Sequence, residues 1–134
     1  MMSPLHLVSL LILVSSPHVM TSVPLRLWGL RAIGLPGDAA GNRPDPYVKV
    51  SCGGQSVSKT EVIKGTHNPT WDTSFFIHCI KGASLKMEIW DKDLKTDDLL
   101  GICYVRITSA NGTGKELKCT SLKKGTFYYR YNLA

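Results

Sequence analysis

The sequence predicts an all-β protein, an antiparallel β-sandwich of eight strands. Three observations predict it. Apolar and polar residues alternate with a period of two in run after run, and the apolar positions carry β-branched and aromatic side chains. Short Gly-, Pro- and Asn-rich stretches separate the runs: "LPGDAAGNRPDP", "CGGQ", "GTHNPT", "KGAS", "ANGTG" and "KKG". No segment holds a helical period over several turns. Many short strands at this spacing are the signature of a sandwich.

The elements follow in order. Strands are expected near 24–33, 47–52, 56–63, 72–80, 84–91, 100–107, 115–120 and 125–132. In "YVKVSC", Val48, Val50 and Cys52 alternate with Lys49 and Ser51. "FFIHC" places Phe75, Ile77 and Cys79 on one face. "SLKMEIW" alternates Leu85, Met87 and Ile89 with Lys86, Glu88 and Trp90. "GICYVRI" aligns Cys103, Val105 and Ile107, and "TFYYRY" aligns Phe127, Tyr129 and Tyr131. Each apolar set reads as the inward face of a half-buried strand.

Residues 1–22, "MMSPLHLVSLLILVSSPHVMTS", differ from everything after them. They contain no Asp, Glu, Lys or Arg, and an apolar run extends from Leu5 to Val14. That run is too short to span a bilayer and has the length of a secretory leader's apolar region. The expected organisation is a signal peptide at 1–22 and one domain at 23–134, released outside the cell. That domain keeps 112 of the 134 residues, enough for a real core. It also keeps all sixteen Lys and Arg, and the chain's formal net charge is +6. Such a charge favours anionic partners. No nucleic-acid motif accompanies it, so nucleic acid is not expected. "NGT" at 111–113 makes Asn111 a glycosylation sequon, whose use the sequence leaves open.

Four cysteines lie beyond the leader and none forms a CxxC pair, which argues for disulfides over structural zinc. Of three connectivities, Cys52–Cys79 and Cys103–Cys119 are favoured. Cys52 and Cys79 fall on inward faces, and Cys103 and Cys119 sit at similar depth in the last third. Buried free thiols are the alternative.

Acidic residues gather in two loops. "WDKDLKTDDLLG" carries Asp91, Asp93, Asp97 and Asp98, and the loop after the first strand carries Asp38 and Asp45. Carboxylates crowded this way repel one another unless a cation joins them. Calcium takes six to eight oxygens, which two loops can supply together. The crowding suits two ions. Solvated turn-forming aspartates are the bland alternative.

"GLPGD…RPDPYVKV", "THNPTWDTSFFI" and "LKMEIWDKDLKTDDLLG" together resemble the successive signatures of a C2 domain, in the right order and across the whole chain after the leader. Within that family the chain most resembles the membrane-binding domains of the perforin type. It shares "LRLWGLRAIGLPGD", the "WDKD…DDLLG" loop, and a cysteine just beyond Leu-Leu-Gly. The resemblance implies an eight-stranded sandwich with calcium-binding loops at one end. It makes Asp38 and Asp45 first-loop ligands, Asp91 and Asp93 the bridging pair, and Asp98 the last ligand with Asp97 as helper. The acidic loop is one residue shorter than usual. Exposed aromatics at perforin-type loop tips are replaced by Pro36, Ala39, Leu94 and Thr96, so Leu35 and Leu94 are expected to enter lipid. Lys49, Lys59 and Lys64, with Lys81, Lys86 and Lys92, are expected to form a patch for phosphate head groups.

Only His67 and His78 remain as imidazoles beyond the leader, and neither neighbours a nucleophile motif. An enzyme is not expected. The leading expectation is a secreted calcium-binding module that docks as a monomer on anionic phospholipid, with a role in immune defence. It acts alone or beside a pore-forming partner. A structural or protein-interaction domain whose loops bind calcium only for stability is the alternative. A cationic protein that disturbs microbial surfaces is a third reading.

Overall fold

A computed structural model of the chain describes residues 22–54 and 57–133. Residues 1–21, and with them nearly all of the expected leader, lie outside the described residues. Ser22, expected at the end of that leader, is the first residue of β1.

The strands are β1 (Ser22–Ile33), β2 (Pro46–Cys52), β3 (Ser58–Lys59), β4 (Phe75–Ile80), β5 (Ser84–Asp91), β6 (Asp98–Arg106), β7 (Leu117–Cys119) and β8 (Thr126–Leu133). They form two four-stranded antiparallel sheets, in the orders β4-β1-β8-β7 and β3-β2-β5-β6. The fold is therefore the all-β sandwich that the alternation predicts.

The inward faces agree residue by residue. Val48, Val50, Cys52, Leu85, Met87, Ile89, Cys103, Phe127, Tyr129 and Tyr131 are all buried. Burying each large apolar side chain contributes roughly 1.5–3 kcal/mol, and the two sheets supply such residues to one shared core. Trp71 plugs that core from the loop before β4. It packs against Phe127 at a centroid distance of 6.4 Å, and its indole N–H donates to the Glu61 carbonyl at 3.1 Å.

Three expected strands are shorter than drawn. The strand near 56–63 shrinks to Ser58–Lys59, because Thr60 turns inward and its hydroxyl receives the Val48 N–H. The strand near 72–80 starts only at Phe75, and the one near 115–120 keeps three residues. Gly101, in β6, is fixed by contact. A Cβ there would lie 2.7 Å from the Leu122 backbone, so the glycine lets the 121–122 segment cross the strand closely.

Cys52 is joined to Cys79 and Cys103 to Cys119, the pairing that strand faces favour. The first links the two sheets across the core. The second ties β6 to β7, which belong to different sheets as well. Peptide mapping of unreduced protein is expected to recover these two bridges and no free thiol. A Cys52–Cys103 peptide would refute the pairing.

Candidate functional site

Both acidic loops lie at the same end of the sandwich because β1 runs out of its sheet at Ile33 and β5 ends at Asp91. The 34–45 loop crosses between the sheets, and its last residue is pinned to the second acidic loop. The Asp45 N–H donates to Asp91 Oδ1 at 2.8 Å, and the Lys92 N–H donates to the Asp45 carbonyl at 2.9 Å. A third loop joins them: Asp45 Oδ1 accepts the Gly65 N–H at 2.7 Å.

These contacts enclose a cleft of about 470 Å³ lined by Asp38, Asn42, Arg43, Asp45, Gly65, Asp91, Lys92 and Asp93. Burial pushes the Asp91 carboxyl above its usual range, against the pull of the Asp45 N–H. The negative charges of Asp45, Asp98 and Asp93 push it the same way as burial. Asp98 contributes because it is the register partner of Asp91 across β5 and β6. The structure thus brings Asp45, Asp91, Asp93 and Asp98 together.

Asp38 and Asp97 are placed differently. Asp38 lines the cleft, but its carboxylate is folded onto its own loop. It accepts the Asn42 side-chain amide at 3.0 Å and the Asn42 and Ala40 N–H groups at 2.9 and 3.0 Å. These bonds, the Asn42 side chain's first, hold its carboxyl below the usual range. Asp97 lies outside the cleft. It accepts the Asp93 N–H at 2.9 Å and the Tyr47 hydroxyl, and Lys92 Nζ stands 3.7 Å away. The Asp93 bond leads in keeping the Asp97 carboxyl low, while burial and then Asp97 push the Tyr47 phenol up to about 12. A partner fifty residues away holds Asp97, and no local pattern announces it.

The donor set suits a hard cation, being oxygen alone with neither thiolate nor imidazole. Burial first, and the neighbouring carboxylates after it, raise the Asp91 carboxyl, and a bound cation would oppose the second of these. Among the described residues no three acidic or imidazole groups already converge on one point.

The apolar contacts need one correction. Leu35 does not reach solvent: it is 1% exposed and belongs to the core. Its N–H donates to the His67 carbonyl at 2.9 Å, and His67 Nδ1 sits 2.7 Å from the Leu35 carbonyl. This two-point tie pulls the loop base inward. Pro36 is half-buried, Ala39 and Thr96 are exposed, and Leu94 is fully exposed. Val62, which the alternation gives no reason to single out, is exposed at this end instead. With Leu94 it lines an apolar notch of about 400 Å³ flanked by Lys64 and Lys92.

The lysines do not form one patch. Lys49 and Lys59 are cross-strand partners, and with Tyr47, Thr60, Val62, Lys92 and Asp97 they line a second hollow of about 250 Å³. Lys49 Nζ also lies 4.6 Å from the Trp90 ring centroid. Lys64 lies beyond the end of β3 and borders the neighbouring notch, which shares Val62 and Lys92 with this hollow. Lys86 is tied to Glu88 at 2.9 Å, and Lys81 borders a separate notch with Val23, Ile107 and Leu133. Asn111 Oδ1 accepts from the Thr108 hydroxyl at 2.8 Å and from the Tyr131 hydroxyl, so the sequon side chain is held by its oxygen.

The family model of the C2 domain matches residues 24–123. The chain belongs to the C2 domain family. A solved structure described as "Structure of a C2 domain" is 36% identical to it, with a TM-score of 0.75, covering 84% of this chain and 98% of that one. A calcium-bound pair of C2 domains from extended synaptotagmin 2 shares 22% identity, with a TM-score of 0.73 over 86% of this chain and 47% of that one, a likeness of fold alone. Among curated relatives, human (Homo sapiens) extended synaptotagmin-1 is 36% identical over 80 residues, 58% of this chain and 7% of that protein. The probable E3 ubiquitin-protein ligase hulA of Aspergillus clavatus is 34% identical over 106 residues, 75% of this chain and 13% of that protein. This C2 domain therefore spans a small fraction of these two curated relatives, and what they share with it is the module.

Proposed function

We propose that this C2 domain is a secreted module that docks on anionic phospholipid membranes when calcium fills its acidic cleft. The observation that carries the reading is the crowding of Asp45, Asp93 and Asp98 around the raised Asp91 carboxyl, beside the exposed Leu94. Calcium, when bound, supplies the positive charge that this end lacks, and two ions would turn it from acidic to basic. Asp45, Asp91, Asp93 and Asp98 would hold it, joined by Asp38 once its bonds to Asn42 loosen. With the carboxylates neutralised, Leu94 and Val62 can enter the acyl boundary, flanked by Lys64 and Lys92. Lys49 and Lys59 offer a second contact to head-group phosphate.

The two disulfides support an oxidising compartment, and so secretion. Cys103, two residues after Leu-Leu-Gly and joined to Cys119, supports the perforin-type reading within the family, and with it a role in immune defence. Phospholipid is the partner, the domain docks as a monomer, and it does no catalysis of its own.

Vesicle co-sedimentation tests this. Binding to phosphatidylserine vesicles is expected in calcium and not in chelator, at an ionic strength that screens exposed charges over about 8 Å. Equal binding in both would overturn the reading and favour calcium as a stabiliser of the loops alone. Lys49→Gln with Lys59→Gln is expected to weaken calcium-dependent binding by about 1 kcal/mol, roughly fivefold, with the loss shrinking at high salt. An unchanged affinity would remove these lysines from the contact.

A further inference from the structure

The outer face of the β4-β1-β8-β7 sheet carries a set of residues that membrane docking does not use. Gly29, at a φ of 65°, makes a bulge in β1, and the register against β8 shifts between Trp28 and Arg31. Both of those side chains therefore lie on the outer face, with Leu30 buried between them. The Trp28 ring receives two guanidinium groups, Arg26 at 4.6 Å and Arg130 at 5.4 Å from the centroid. Trp28 itself is fixed by its indole N–H, which donates to Asn132 Oδ1 at 3.1 Å. Phe76, the register partner of Arg26 on β4, is 80% exposed.

The next step along the sheet shows how such an arginine is used. Arg31 stacks 3.9 Å from the Tyr128 centroid and donates twice to the Glu116 carboxylate, at 2.9 and 3.0 Å. Arg26 and Arg130 are held only by neutral groups, the Ser74 hydroxyl at 3.3 Å and the Gly114 carbonyl at 3.0 Å. Among the described residues neither has a carboxylate within 4.0 Å. Glu116, which pairs with Arg31, feels the charge of Arg130 only from beyond that distance, so two stacked, oriented guanidiniums stand ready for carboxylates that would bond them directly.

We propose that this face is a docking surface for another protein, which presents an extended acidic segment carrying an aromatic side chain. Arg26 and Arg130 take its carboxylates as Arg31 takes Glu116, and Phe76 takes the aromatic. Arginine and aromatic residues together are the composition of protein-interface anchors. A sulfated polysaccharide would be read through charge alone and would gain nothing from Phe76. A membrane met by the loop end leaves this wall of the sandwich free. Docking here needs no calcium.

Two fluorescent peptides of equal charge test the surface by anisotropy in chelator, one of Glu interspersed with Tyr and one of Glu alone. The Glu/Tyr peptide is expected to bind about tenfold tighter than the all-Glu peptide. Arg26→Gln with Arg130→Gln is expected to weaken it about tenfold, and Phe76→Ser about threefold for the Glu/Tyr peptide alone. Lys123→Gln with Lys124→Gln removes the same charge from an exposed turn and is expected to change affinity less than about twofold. Melting curves accompany each variant. Arg26→Gln alone, at an exposed position, secures the result if the double change unfolds the domain, with an expected loss of about threefold. Equal losses in the two charge-matched pairs, or equal affinity for the two peptides, would overturn the proposal. So would tighter capture by heparin, or by phosphatidylserine vesicles in chelator, that the same arginines control.

Discussion

Asp91→Asn with Asp93→Asn is expected to abolish the calcium-induced rise in melting temperature together with calcium-dependent vesicle binding. Extracellular calcium modules bind with Kd on the order of 10⁻⁴–10⁻³ M. At a calcium concentration about a hundredfold above Kd, the folded state gains roughly 2.7 kcal/mol by mass action. For a domain of this size that is a shift in Tm on the order of 10 °C. The calcium-free limb carries its own sign. The fold raises the Asp91 pKa, so it disfavours the charged carboxylate. The Asp91 contribution to the calcium-free domain is therefore most favourable below the ordinary carboxylate range and is lost as pH rises through it to the folded value, while the lowered carboxyls of Asp38 and Asp97 contribute with the opposite sign. Asparagine cannot ionise, and its Oδ1 can still accept the Asp45 N–H. Asp91→Asn alone is thus expected to raise Tm in chelator at neutral pH relative to the parent, with the gain vanishing in the acid limb. Differential scanning calorimetry with and without calcium reads both effects. A full calcium shift in the double variant would remove these aspartates from the ligand set, and a lower Tm in chelator would remove charge crowding as its cause.

How far the site was legible depended on whether its determinants are local. The strand faces were, because a period of two needs only neighbouring residues, and every inward set from Val48 to Tyr131 packs as the alternation requires. The crowding of carboxylates was also visible, since four of the six lie within eight positions. The fate of each carboxylate was not. Asp97, in the loop between β5 and β6, is claimed by the Tyr47 hydroxyl of β2, and Asp38 by an asparagine four residues on. The lysines divide by contacts that no alternation shows: Lys49 and Lys59 pair across β2 and β3, while Lys64 borders the neighbouring notch with Val62 and Lys92. The arginine–tryptophan face was hidden by the Gly29 bulge, which breaks the alternation at the point where it would have revealed Arg31.

Leu35→Ala and Leu94→Ala are expected to separate stability from docking, since the two leucines sit in opposite environments. Leu35 is buried in the core, where removing a leucine side chain leaves a cavity and costs about 3 kcal/mol. Its Tm is expected to fall by more than about 10 °C. Its place in the loop suggests a tip residue, but the His67 tie fixes the loop base against the sandwich before the chain turns outward to Asp38. Leu94 contacts nothing that the fold depends on. Its truncation is expected to leave Tm and the calcium shift unchanged. It is expected to weaken calcium-dependent vesicle binding by about 1.4 kcal/mol, or tenfold, through lost apolar burial in lipid. Val62→Ala, in the same notch, is expected to act in the same direction with a smaller effect. Calorimetry and vesicle co-sedimentation on the same preparations distinguish the outcomes. If Leu35→Ala melted like the parent and lost docking, the loop base would have to open toward the membrane. If Leu94→Ala bound vesicles as the parent does, insertion would play no part. Docking would then rest on calcium bridging the carboxylates to lipid phosphate.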